Sequence, residues 1–135
     1  KMGETIHIPS CCYEIEEYIH GPNLQLTPQY NVIFFDGNDG ASRRVEQVYK
    51  ATRKVTNRAY LISNNPQLSR DGHVLSLSDT VSSELSPLVY LPFVQLLSFI
   101  VSNDLHSIYQ HPLLKEFKAI AAAKTENFVN YDGDD

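Results

Sequence analysis

Two kinds of apolar run alternate along the chain. Val32-Ile33-Phe34-Phe35 and residues 59–62 are short, uninterrupted and rich in β-branched and aromatic side chains. Runs of that length and composition predict strands buried on both faces, as in parallel sheets. A third, weaker strand is expected over residues 73–77. Between the first two runs the spacing changes to that of a helix. Val45, Val48, Tyr49, Thr52 and Val55 share one stripe, Ser42 is placed to cap it and Asn57 to end it. Loops are expected at residues 36–40 and 64–72, where Gly, Asn and Asp gather. Ser86-Pro87 opens a long helix running to about Asn103, with Pro in the first turn. It is apolar on nearly every side, which predicts a core helix covered by the sheet and by a partner subunit. Residues 1–22 read as two short helical pieces parted by Pro9, the second capped by Ser10 and stopped at Gly21-Pro22, with Gly21 left-handed. A last helix is expected over residues 112–124, with Leu113, Phe117 and Ile120 on one stripe, ahead of a frayed acidic end at 132–135.

Strand, helix, strand joined by short loops predicts an α/β domain with a parallel sheet and right-handed crossovers. Three strands are few for a helix this apolar, and the chain opens at Lys1 without an initiator Met, so the domain is expected to be N-terminally incomplete. A length of 135 residues suits one domain. Apolar content of 42% with 20% charge excludes general disorder. Eleven basic against sixteen acidic residues leave a net charge of −5, which removes any electrostatic reason to expect nucleic acid or an anionic membrane as partner. The basic cluster at residues 43–54 is interrupted by Glu46 and reads as a solvated helix face. Residues 85–101 are broken by Pro87, Pro92, Gln95 and Ser98 and fall short of a membrane span. The adjacent Cys11 and Cys12 read as free thiols in a reducing compartment; with no signal peptide, the expected location is the cytoplasm.

Few residues carry an obvious chemistry. There is no Gly-rich phosphate loop of the Walker or Rossmann type and no Gly-x-Ser-x-Gly elbow. His73, His106 and His111 lack metal-ligand spacing, so no metal and no cofactor are expected. The segment Glu14-Ile15-Glu16-Glu17-Tyr18-Ile19-His20-Gly21-Pro22 gathers three carboxylates within about a turn and sets a His at the helix end. On spacing alone it reads as an acidic solvated helix face followed by a chain reversal.

Lys1-x-x-Glu4 followed, sixteen residues after Glu4, by His20-Gly21-Pro22 resembles the SIS (sugar isomerase) domain family. More narrowly, it resembles the second SIS domain of two-SIS enzymes: the isomerase half of glucosamine-6-phosphate synthase, and the fructosamine-6-phosphate deglycases. The order of the remaining elements agrees, and Tyr90-x-Pro92-x-x-Gln95-Leu96-Leu97 is similar to the family's long helix. Glu16-Glu17-Tyr18 ahead of Ile19-His20 is closer to the deglycases. The resemblance implies a three-layer αβα, flavodoxin-like fold over residues 1–131, an acidic tail at 132–135, and a missing opening strand and turn. It also implies a missing N-terminal SIS domain and a homodimer or higher oligomer. The Ser/Thr-rich loop that grips a sugar phosphate in the family lies outside this chain.

The implied activity moves a proton between C1 and C2 of an open-chain sugar phosphate, as an isomerase, a deglycase or the isomerase half of an aminotransferase. A non-catalytic module that senses sugar phosphate or dimerises is the alternative. By the resemblance, Glu4 matches the base that shuttles the proton. His20 matches the ring-opening imidazole that the family supplies to the neighbouring subunit's site. Glu17 matches an acidic position of the motif, where it orients His20 or serves structure, and Lys1 stands with it on the substrate side. Lys124 sits where the synthase tail carries a Schiff-base lysine, while residues 110–123 depart from the synthase pattern. Without that match it is a helix-terminal charge.

Overall fold

The two apolar runs fold as adjacent strands. A computed structural model describes residues 2–78 and 81–105. β1 (Val32–Phe35), β2 (Ala59–Ser63) and β3 (Val74–Ser76) form one sheet in the order β1-β2-β3. Both pairings are parallel, with Val32 opposite Ala59 and Leu61 opposite Val74. The chain is therefore α/β, with a three-stranded parallel sheet and helices around it. The predicted helix over 112–124 and the acidic end lie outside the described residues.

Side chains alternate across a strand, so Phe34 and Phe35 face opposite ways. The Phe34 face is the core. Helix α3 (Ser42–Thr52) lays Val45, Val48 and Tyr49 over Phe34, Ala59 and Leu61. Helix α2 (Ile15–Ile19) adds Ile15, Tyr18 and Ile19 at its margin. Phe34 sits between two aromatic edges, with ring centroids 5.9 Å from Tyr18 and 6.0 Å from Tyr49. Tyr49 is buried, and its hydroxyl donates to Asp71 Oδ2 at 2.8 Å.

The Phe35 face is covered differently. Helix α4 (Ser86–Asp104) meets it through Tyr90 and Phe93, whose rings lie 5.4 and 6.4 Å from Phe35. Tyr90 O–H also donates to the Asp36 carbonyl. Ile62 is buried here, but Phe35, Tyr60 and Leu75 stay exposed, so these strands are not buried on both faces as their composition predicted. α4 is likewise not a core helix in the single chain. Its buried residues are Ser86, Ser98 and Ser102, while Leu88, Leu91, Leu96, Phe99 and Ile100 point outward. Beyond Tyr90 and Phe93 the inner side carries Ser98 and Ser102, and the short helix α1 (Met2–Thr5) packs on α4 there, with Ser98 Oγ donating to Met2 Sδ at 3.1 Å. By length and composition, residues 83–104 are apolar enough to cross a membrane, which reading the proline and polar breaks had discounted.

Several local expectations are corrected. Ser10 does not cap α2. Its hydroxyl donates to the Ile8 carbonyl, and Glu14 Oε2 accepts the N–H groups of Glu16 at 2.9 Å and Glu17 at 3.2 Å. Gly21 is extended, with φ at 172°, and the reversal is made by Pro22 opening a 3-10 turn over Pro22–Gln25. Ser42 is the first residue of α3 rather than its cap, and its hydroxyl is drawn to Asp36. α3 ends at Thr52, so Val55 leaves the stripe and stands exposed. Thr56 then folds inward, donating to the Pro28 and Tyr30 carbonyls.

Candidate functional site

The residues singled out from the sequence separate into three groups. Lys1 and Lys124 lie outside the described residues. Glu4 lies in α1. Glu17 and His20 lie on and at the end of α2. His20 is exposed and forms the C-cap, its N–H donating to the Glu17 carbonyl at 3.2 Å. Glu17 thus fixes the backbone of His20 through its carbonyl, and Glu17 itself is exposed. Among the described residues the His20 imidazole has no hydrogen-bond partner, leaving both ring nitrogens open to a substrate or a second chain.

α1 and α2 approach the sheet from opposite faces. α2 is anchored on the Phe34 face by Tyr18 and joined to α3 by the Glu16–Arg44 ion pair at 2.8 Å. α1 rests on α4, which touches the Phe35 face. The intervening residues 8–14 are exposed throughout. Within one chain, the helix that carries Glu4 thus rests on α4, and the helix that ends at His20 rests on Phe34 and α3.

Beside His20 runs an open groove of about 330 Å³ between α2, the Pro22–Gln25 turn and α3. Ile19, Leu26, Val48 and Val55 make it apolar, and Arg44 stands at its rim, already engaged by Glu16. Tyr18 Oη and Asn23 Oδ1, from two of its lining residues, are buried with no hydrogen-bond partner among the described residues. The turn carries Leu24, the most exposed large apolar side chain described, at 85%. This apolar surface next to His20 is suited to contact with protein rather than to capture of a charged small molecule.

The carboxyl edge of the sheet, where ligands bind in open α/β folds, holds a polar cluster that sequence reading missed. Asp36, only 6% exposed, accepts from Asn38 N at 3.0 Å, Ser42 Oγ at 2.5 Å and Ser63 Oγ at 2.7 Å. Its burial is therefore fully compensated by donors. Asn38 takes a left-handed conformation, φ 55°, and its amide donates to the Val81 carbonyl at 3.0 Å, tying the loop to the approach of α4. The cavity beneath is about 10 Å³, room for one water. The arrangement is a latch closing this edge. Its signal in the sequence was an Asp placed directly after the apolar run and before Gly37-Asn38-Asp39-Gly40. Burial and the nearby Asp36 and Asp39 charges raise the pKa of Tyr90, which keeps its hydroxyl a donor to this edge.

No protein-family model and no curated protein sequence matches this chain.

Proposed function

We propose that this chain forms most of the C-terminal SIS-type domain of a phosphosugar isomerase or fructosamine-6-phosphate deglycase. On this reading the domain is three-layered, and the enzyme works on an open-chain hexose 6-phosphate derivative in the cytoplasm. The observation that carries the proposal is Lys1-x-x-Glu4 with His20-Gly21-Pro22 sixteen residues further on, joined to the free, exposed position of His20 at the end of α2. Glu4 takes a proton from C2 or C1 and returns it to the neighbouring carbon. A carboxylate does this without cofactor, because the enediol between the two steps needs only a base on one face. His20 opens the sugar ring by exchanging protons with the ring oxygen and the anomeric hydroxyl. Glu17 holds the turn that presents His20, and Lys1 lies on the substrate side. Lys124 as a Schiff-base lysine belongs to the aminotransferase alternative.

The separation of α1 from α2 supports a site completed by another subunit, with His20 reaching the neighbour's Glu4. The exposed apolar face of α4 supports the same assembly, as a homodimer or against the first SIS domain. It also favours the second reading, in which the chain is chiefly a dimerisation module.

The test is made in the natural protein that carries this chain. Glu4→Gln keeps shape and removes basicity, so turnover should fall by roughly 10²–10⁴-fold with little change in substrate affinity. Mixed dimers of Glu4→Gln and His20→Ala subunits should regain activity, because one hybrid site holds both intact groups. Near-normal turnover of Glu4→Gln, or stable mixed dimers that stay inert, would overturn the assignment.

A further inference from the structure

We propose that Cys11-Cys12 is a vicinal dithiol site that chelates thiophilic trivalent arsenicals. Both cysteines are free and exposed, and they are the only two in the chain. They lie in the middle of residues 8–14, which are exposed throughout and form no part of helix or sheet. Rotation about their backbone therefore breaks no ladder hydrogen bond. Tyr13 follows directly, and interaction with the neighbouring Cys11 raises the pKa of its hydroxyl.

Chain geometry decides between the possible fates of the pair. A trans peptide sets neighbouring Cα atoms about 3.8 Å apart. A disulfide wants them about 4.4–6.8 Å apart. Direct oxidation to a ring across one peptide bond is therefore strained, and the pair persists as two thiols. A bridging atom larger than the S–S bond relieves that strain. Trivalent arsenic is pyramidal and holds two sulfurs at an angle near a right angle, which adjacent side chains on an irregular segment can meet. Zinc takes four ligands, and among the described residues no group of three or more His, Cys, Asp or Glu side chains gathers to add to the pair.

The step is a condensation without redox change. For phenylarsine oxide, two As–S bonds form, the arsenic–oxygen bond is lost, and both thiol protons leave on that oxygen as water. Neither thiol takes part in the sugar-phosphate reading, so binding here and that reading stand or fall separately.

The experiment titrates the chain with phenylarsine oxide and reads intact mass and free thiols. The expected result is one phenylarsenic group per chain with the loss of both thiols, resistant to excess monothiol and removed by ethanedithiol. Cys11→Ser and Cys12→Ser should each weaken binding by roughly 10²-fold or more, because the second sulfur acts at a high effective concentration. Both sites are exposed and irregular, so unchanged far-UV circular dichroism will show that each variant is folded. Two arsenicals per chain, or single variants that bind as tightly as the parent, would overturn the proposal.

Discussion

Tyr49→Phe should make the protein weaker at neutral pH and stronger in strong base. Tyr49 is 1% exposed, its ring packs edge-on to Phe34, and its hydroxyl donates to Asp71 Oδ2 at 2.8 Å. The substitution keeps the ring and removes only the hydroxyl. Asp71 is partly exposed, so water can replace the lost donor, and the cost at pH 7 should be about 1 kcal/mol. Burial, and then the Asp71 contact, push the Tyr49 pKa from 10.0 up to about 12. Above pH 10 the unfolded chain releases this proton while the folded chain keeps it. Stability attached to Tyr49 is therefore complete below pH 10 and drains away as pH rises toward 12, at about 1.4 kcal/mol per pH unit. The total is on the order of 3 kcal/mol, and the variant loses none of it. The two stability curves should cross near pH 11, where the accumulated loss equals the neutral-pH cost. Urea unfolding followed by far-UV circular dichroism at several pH values from 7 to 12 measures this in a chain without Trp. The other seven tyrosines are common to both proteins and cancel in the difference. Parallel curves that never approach would refute the reasoning, and so would a variant more stable at pH 7.

Asp71 governs the acid limb. The His73 N–H first, and then the Tyr49 hydroxyl, hold its carboxyl below the ordinary carboxylate range. Its contribution is present above that range and lost as pH falls through the lowered value, so Asp71→Asn should flatten the fall in urea midpoint between about pH 5 and 2, and an unchanged acid limb would count against it. On α4, Phe99 is 65% exposed in a helix face that has no charge before Asp104. Phe99→Glu should abolish self-association, since each large apolar side chain left uncovered forgoes roughly 1.5–3 kcal/mol. Sedimentation equilibrium tests this, and a parent chain that is monomeric at every concentration, or that binds lipid vesicles through α4 instead, would refute it.

The two strands most legible in the sequence were those whose signal is local. An uninterrupted β-branched run predicted β1 to the residue, and β2 differs only by the added Ser63, kept in the strand by its bond to the buried Asp36. The start of α2 was misread because Ser10 and Glu14 both carry an oxygen able to accept from a helix N-terminus, and only the fold shows which one does. α4 was legible as a helix but not as a surface. When nearly every position is apolar the helical period carries no facing information, and three serines turned out to mark the inner side. The Glu4–His20 motif was visible as a spacing. That the two lie toward opposite faces of the sheet was not, because it depends on Tyr18 meeting Phe34 and Ser98 meeting Met2, contacts that span 16 and 96 residues.

That separation constrains any catalytic use of the pair. Nine residues join Thr5 to Ile15, a span of at most about 30 Å when extended. That length carries the chain from α1, which rests on α4, to α2 on the Phe34 face. α2 cannot slide toward α1 without giving up Tyr18 on Phe34 and Ile15 and Ile19 beside α3, which together hold the margin of the core. Burial of three such side chains is worth several kcal/mol, more than a bound sugar phosphate would readily return. If Glu4 and His20 act on one substrate, the cheaper route is to leave both helices in place and bring a second chain's His20 to the first chain's Glu4. The exposed imidazole, Leu24 and the apolar groove beside them then lie on the contact between subunits, where an unpartnered histidine and an 85%-exposed leucine both find a use.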